Sequence, residues 1–515
     1  MARFSYFDKL GGLWLAAGLV LIVSCAGWTY LSGHFQYGEG HAGRPILEVL
    51  LLYGTTWLGF VVSFRLLKTG KGKSPLLFIL GVGLLARVLV MPSNLIQEND
   101  VYRYVLDGQA LLHGQNPYQY SPLVVREFAS PEFKLELESA PARTVLSRIG
   151  YPHIPTIYPP AAQVAFAAGG LIGEWDWMGQ RWVFLLFDMA TLGLLLLLLK
   201  SLALSLGWIA LYAWNPLVLK EVINSAHLDI MVAFFLIAAI AGFVQWDKLS
   251  MASDQAGANR AELARNGWII LAAAALGLAI LSKVYPIVLL PACLIFLGRR
   301  SLGPGAPLIF AAVTGLVVFL GILPFDGVGI DQLTTGLRTY ASEWLRNEGV
   351  FALLGWWASD PRLLAAGIIA AFSVAVPVAR AVKSTPRPGP ADATRSVLLL
   401  AGDFQWILLF WLLFLPSPFP WYGVPLAALL VLRFDNAAAV ATVMLSGAVA
   451  LYYLVFFYEY QDYPRVWWTW TRIIEHALIW ISMTLPLILR KLGRGRSLTV
   501  AARIESSYSR TEPRP

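Results

Sequence analysis

The chain has 515 residues, of which 57% are hydrophobic, only 14% are charged and 20 are tryptophan. Soluble domains carry about a quarter charged residues, so a soluble globular protein is excluded. The apolar runs, each near the roughly 20 residues that cross a bilayer, define an all-α polytopic membrane protein. The two cysteines, Cys25 and Cys293, lie inside apolar runs and exclude both a disulfide framework and a cysteine-based zinc site. The net charge of +8 reads as an orientation signal and needs no nucleic-acid partner.

In chain order, apolar runs predict spans at 11–31, 46–66 and 75–92, and after a long polar stretch at 182–200, 203–219, 228–245, 267–283 and 286–299. Further spans follow at 305–323, 360–381, 396–415, 420–432, 436–458 and 472–490. That makes about 13–14 transmembrane helices. The first span is long, and no small-residue cleavage site follows it, so it is not read as a signal peptide. Only Val284 and Tyr285 separate 267–283 from 286–299, which reads as a tight hairpin. Asp188, inside a span, is expected to bond a neighbouring helix.

Basic clusters fall in alternate loops: Arg65, Lys68, Lys71 and Lys73; Lys200; Lys248, Arg260 and Arg265; Arg299 and Arg300. The parity continues through Arg380, Lys383, Arg387 and Arg395, then Arg433, then Arg490, Lys491, Arg494 and Arg496. These belong on the cytoplasmic side, with both termini, leaving 93–181, 324–359, 416–419 and 459–471 outside. Residues 160–173 are apolar enough for a span, but counting them as one inverts every later loop. They are therefore read as a helix lying in or dipping into the outer interface, a depth that suits the flanking Trp175, Trp177 and Trp182.

The outer loop opens on Gln97-Glu98-Asn99-Asp100, followed by Arg103, Tyr104 and Asp107-Gly108. A Glu-x-Asp pair at a membrane surface suits one carboxylate as general base and the other as orienter or cation ligand, and desolvation near lipid raises its basicity. The alternative is a solvated loop with Asp100 as helix N-cap. His227 and Asp229 stand at the outer end of two consecutive helices, after Lys220-Glu221. They read either as a ligand-binding imidazole oriented by Asp229 or as a helix cap. Lys283, beside Tyr285, is placed to meet a phosphate or to snorkel. Arg338, Tyr340, Glu343, Trp344 and Arg346 alternate in sign as a solvated face does, and Trp421-Tyr422 after Pro416-Ser417-Pro418 reads first as interface anchoring and second as a surface that stacks on a sugar or caps an acceptor groove.

The run from Glu98 to Tyr118 resembles the first extracytoplasmic loop of the GT-C glycosyltransferases, in particular bacterial mannosyltransferase-like members that use polyprenyl-phosphate sugars. Glu98-Asn99-Asp100 matches their modified Asp-x-Asp motif, although the first acid is Glu and three spans precede it. Asn116-Pro117-Tyr118 matches their Asn-Pro-Tyr turn. The similarity extends to Tyr158-Pro159-Pro160 with Gln163, to Asn215-Pro216 with Glu221 and Ser225-Ala226-His227-Leu228-Asp229, and to Ser282-Lys283-Val284-Tyr285-Pro286.

The resemblance implies a GT-C-like bundle with juxtamembrane helices in the first large loop. Residues 1–323 would be its catalytic transmembrane module, 324–496 a variable C-terminal transmembrane module and 497–515 a polar, disordered cytoplasmic tail. It implies an inverting transfer of a hexose, with mannose favoured, from a polyprenyl-phosphate sugar to a glycan, lipid or protein hydroxyl outside a bacterial inner membrane. Asp100 and Glu98 would be catalytic; Arg103, Tyr104, Asp107, Asn116, Tyr118, Tyr158, His227, Asp229, Lys283, Tyr285 and Arg338 would bind substrate. No cofactor is expected, although the two carboxylates can ligate a divalent cation. A transporter or lipid flippase, and a non-enzymatic scaffold, are the competing classes, but the acids gather at the outer surface and not near the bilayer centre.

Overall fold

The computed structural model describes residues 11–38, 40–69, 75–127, 137, 139–252, 258–301, 304–383 and 390–491. The 497–515 tail and Lys71, Lys73, Arg387, Arg494 and Arg496 lie outside these. All regular structure among the described residues is helical. Among the described residues, ten helices are long and apolar enough to cross a membrane, with three shorter apolar helices at Leu76–Val90, Pro160–Ile172 and Pro420–Leu432.

The elements used below are α1 (Gly12–Leu31), α2 (Ile46–Thr69), α3 (Leu76–Val90), α4 (Asp100–Leu112), α5 (Pro160–Ile172), α6 (Trp177–Ser201), α7 (Asp229–Ala252), α8 (Ala258–Ser282), α9 (Leu290–Arg300), α10 (Gly305–Ile322), α11 (Gly329–Glu343), α12 (Pro361–Lys383), α13 (Pro390–Leu413), α14 (Val424–Leu432), α15 (Ala437–Ala448) and α16 (Val466–Lys491). Helix α5 has 13 residues. At 1.5 Å per residue it reaches about 20 Å, short of the ~30 Å hydrocarbon core.

Four predicted spans, 203–219, 286–299, 420–432 and 436–458, are not continuous α-helices among the described residues. Residues 203–219 break into a 3-10 turn at Leu206–Ile209, short helices at Ala210–Ala213 and Pro216–Val218, and a π-helical turn at Leu219–Asn224. The cause is local. Pro216 has no N–H to continue the ladder, and the Asn215 side chain restarts the helix by accepting from the Leu217 N–H at 3.0 Å. Residues 286–299 likewise begin as a 3-10 turn, Tyr285–Leu289, carrying Pro286, and only then become α9.

The four loops expected outside share one end of the bundle. Asn116 donates to the Phe325 carbonyl at 3.1 Å, Gln332 to the Tyr118 carbonyl at 3.0 Å, the Arg346 N–H to the Pro416 carbonyl at 3.2 Å, and Gln97 to the Tyr460 hydroxyl at 3.0 Å. Loops expected to be cytoplasmic are tied at their own end, Arg300 to Asp247 at 2.8 Å and Lys248 to the Ser201 carbonyl at 2.6 Å.

Within the bundle, Asp188 of α6 does bond its neighbours. Arg87 of α3 meets it bidentately at 2.6 and 3.1 Å, and Tyr212 donates to it at 2.7 Å. All three side chains are buried. Juxtamembrane helices α4 and α5 cross closely at Gly108, where a Cβ would come within 2.3 Å of the Phe166 carbonyl oxygen. Gly108→Ala is therefore expected to push the helices apart at a cost of about 1–3 kcal/mol. Thermal unfolding in detergent checks this; an unchanged midpoint would show that the crossing is looser than described.

Candidate active site

Glu98 and His227 lie far apart in the chain and meet at the end of the bundle where the loops expected outside gather. Each is presented by a sharp turn whose preceding residue is left-handed without being glycine, Gln97 at φ 53° and Ala226 at φ 58°. Such residues cost about 1–3 kcal/mol and gather at functional sites. The π-helical turn at 219–224, another irregularity common at such sites, carries Lys220 and Glu221 and hands the chain to His227 through the His227 N–H to Glu221 carbonyl bond, 2.9 Å.

The side chains then interlock. Glu98 Oε1 accepts the backbone N–H groups of Asn99 and Asp100, both at 2.8 Å, and Oε2 faces His227 Nε2 at 3.0 Å. So Glu98, not Asp100, satisfies the start of α4. Asp100 is the first helical residue and keeps its carboxylate for other work. His227 Nε2 also lies 3.5 Å from Glu221 Oε2. Glu221 Oε1 accepts from the Tyr453 hydroxyl at 2.8 Å, and that hydroxyl in turn accepts from Lys220 at 3.2 Å. Because Glu98 Oε2 is an acceptor, the imidazole proton sits on Nε2, which leaves Nδ1 as an acceptor.

Burial pushes the His227 imidazole down to about 4, against the pull of Glu221, so the ring is neutral at pH 7. Burial, with repulsion from Glu98 second, pushes Asp100 up to about 6. The same desolvation raises Glu98, and its two helix amides and the nearby lysines oppose it. Asp100 is within electrostatic reach of His227, Lys283 and Arg103, and the Tyr158 hydroxyl donates to its Oδ2 at 3.4 Å.

Lys283, at the end of α8, donates to Asp229 Oδ2 at 2.7 Å and lies 4.4 Å from the Tyr422 ring centroid. Asp229 is thus engaged by Lys283, and the hydrogen bond that fixes the His227 ring comes from Glu98. The expectation that Asp229 orients His227 is corrected accordingly. Aromatic rings wall this region. Trp421 stacks on His227 at 3.9 Å, Tyr285 stacks on Trp411 at 4.1 Å, and the Tyr340 and Tyr422 hydroxyls share a 2.8 Å hydrogen bond. Trp421 is buried against His227 rather than anchored at an interface.

Other sequence candidates hold the cradle. Arg103 donates to the Ile154 and Tyr151 carbonyls at 2.9 and 3.3 Å. Asp107 accepts from Thr156 at 2.5 Å and from Gln163 at 3.4 Å, and burial pushes it up to about 6. Tyr104 stacks on Phe166 at 4.4 Å. Asn116 accepts from the Tyr118 N–H at 3.1 Å, and the Tyr118 hydroxyl donates to the Tyr158 carbonyl at 2.7 Å. Arg338 does not join them. It is exposed on α11 and paired at 2.8 Å with Asp331, seven residues earlier on the same helix, so its substrate-binding assignment is corrected to a solvated surface pair.

Four polar atoms of this cluster are buried and have no hydrogen-bond partner among the described residues: Glu221 Oε2, His227 Nδ1, Asp229 Oδ1 and the Tyr285 hydroxyl. Buried unsatisfied groups cost about 1–3 kcal/mol each, so each of these atoms calls for a partner from water or a bound molecule. Three of the four are acceptors, which suits a ligand rich in hydroxyl groups. Among the described residues, no group of three or more His, Cys, Asp or Glu is arranged to hold a metal ion. Tyr340, Trp421, Tyr422 and Tyr453 come from beyond residue 323, so the site is not confined to the first 323 residues. Sequence reasoning reads Trp421-Tyr422 first as interface anchors, and it misses Tyr453 because an aromatic residue inside the apolar run 436–458 carries no signal of its own.

The fold and this cluster define a polytopic helical membrane protein with a buried carboxylate, imidazole and ammonium site. Among solved structures the chain is similar to ArnT from Cupriavidus metallidurans bound to undecaprenyl phosphate, at 15% identity and a TM-score of 0.41, over 81% of this chain and 77% of that one. It is also similar to the apo state of the same protein, at 14% identity and a TM-score of 0.37, over 79% and 75% of the two chains. No family model and no curated protein matches the sequence.

Proposed function

We propose that the chain is a GT-C-type inverting glycosyltransferase that moves a hexose, with mannose favoured, from a polyprenyl-phosphate sugar to an acceptor hydroxyl on the extracytoplasmic face. The observation that carries this reading is the convergence of Glu98, Asp100, His227, Asp229 and Lys283 around buried acceptors that have no hydrogen-bond partner among the described residues. In the transfer, the acceptor oxygen bonds to the anomeric carbon and its proton passes to Asp100. The anomeric carbon–oxygen bond to phosphate breaks, and the polyprenyl phosphate leaves with the electron pair.

Each residue has a task in that step. Lys283 meets the charge growing on the leaving phosphate, a preorganised cation acting in a desolvated pocket. His227 Nδ1 and the free Asp229 oxygen accept sugar hydroxyls, and Glu98 holds the imidazole in the tautomer that makes this possible. The phosphate leaves without needing a strong acid, so a single general base suffices.

The test is incubation of the purified protein with a panel of polyprenyl-phosphate sugars and nucleotide sugars, reading release of polyprenyl phosphate. Release from a lipid-linked hexose in the presence of an acceptor is expected; transfer from nucleotide sugars alone, or movement of substrate across sealed vesicles without an acceptor, would overturn the reading. The pH profile is set as well. The base works deprotonated, so kcat/KM should rise with pH through about 6, the position to which burial and Glu98 lift Asp100, and level off above it. A profile flat from pH 5 to 8 would remove Asp100 from the role.

A further inference from the structure

Arg181 lies near the start of α6 and its side chain is completely buried. Its guanidinium donates through Nη1 to the Met91 and Ser93 carbonyls at 2.5 and 2.7 Å, and through Nη2 to the Asn224 carbonyl. Trp177 covers it, with the ring centroid 4.5 Å away. The carbonyl groups it gathers belong to two different helix ends, the end of α3 and the end of the π-helical turn, where the backbone dipoles are negative. Asn224 completes the joint with its side chain: Nδ2 donates to Ser93 Oγ at 2.8 Å and to the Asn94 carbonyl at 2.7 Å, and Oδ1 accepts from the Ile96 N–H at 3.2 Å.

These two ends are the roots of the two turns that meet in the site. The 91–97 segment leads directly into Glu98, and Asn224 leads through Ser225 and the left-handed Ala226 into His227. The 3.0 Å contact between Glu98 and His227 is therefore framed by a joint that neither residue makes itself. A planar fork reaches both sets of carbonyls at once, which a single ammonium does not.

Building on the proposed transfer reaction, we propose that Arg181 and Asn224 are positioning residues that hold the Glu98 turn and the His227 turn in register, and so set the imidazole that faces the substrate. They touch no reacting atom. Their effect passes through the Glu98–His227 pair.

The test uses the full-length protein and diethyl pyrocarbonate, with modification of each histidine read by peptide mass spectrometry. His227 is fully buried, and His476, held in a separate cluster by the Asn347 carbonyl at 2.9 Å, is the internal reference. Arg181→Met and Asn224→Leu should each raise His227 modification by about tenfold or more while His476 stays protected. Arg181→Lys should restore protection in part. In the transfer assay, Arg181→Met should lower kcat far more than it changes KM.

Unchanged protection of His227 in folded Arg181→Met protein would overturn the proposal. So would His227 and His476 becoming reactive together, the mark of general loosening. Should the wild-type protein transfer no sugar, the proposed function falls, and the histidine protection still decides whether the joint exists.

Discussion

Asp100→Asn is expected to cut sugar transfer by about 10²- to 10⁴-fold, the usual contribution of a general base, while leaving the protein folded. The substitution keeps shape and volume. Asp100 has only a 3.4 Å hydrogen bond from Tyr158 to lose and makes no ion pair among the described residues. Burial and the neighbouring Glu98 carboxylate make it a better base than an exposed Asp. Glu98 cannot replace it, since its oxygens serve two backbone amides and the imidazole. Release of polyprenyl phosphate, measured beside a thermal melt of the same preparation, checks both halves of the expectation. Full transfer by Asp100→Asn would move the base elsewhere.

Arg87→Leu is expected to be the most damaging single change to stability. It leaves the Asp188 carboxylate, entirely buried, with one tyrosine hydroxyl in place of a bidentate guanidinium. Breaking a buried pair from one side costs about 3–5 kcal/mol, mostly from the stranded charge. The double variant Arg87→Leu with Asp188→Leu should recover much of that loss, because apolar replacement of a whole buried pair is often neutral. Melting temperatures in detergent of the two single variants and the double variant decide it. A double variant no better than Arg87→Leu would mean that the pair does more than neutralise itself.

Much of the fold was readable because membrane spans declare themselves by length and apolarity, as α1, α2, α6 and α12 do. Residues 203–219 misled because hydropathy does not register a helix broken by Asn215-Pro216; the apolar composition persists while the backbone changes type. The site divides in the same way. Glu98, Asp100, His227 and Lys283 stood out as ionisable groups at span ends, where charge is costly without a purpose. Which of them would pair was hidden, since Lys283 reaches Asp229 across 54 positions and His227 reaches Glu98 across 129. Arg338 misled through its context, a charged residue in a loop expected outside whose partner Asp331 sits on the same helix. Arg181 gave no signal at all, because its partners are backbone carbonyls that every residue carries.

The proposed chemistry requires the Glu98–His227 turn to face the outside of the cell. Cys25 and Cys293 are both buried, so a single introduced thiol reports alone. Asn99, exposed between the two acids, is the position to use. Asn99→Cys in intact cells should react with a membrane-impermeant maleimide before any permeabilisation; labelling only after the membrane is opened would put the acidic turn in the cytoplasm and contradict an extracytoplasmic transferase.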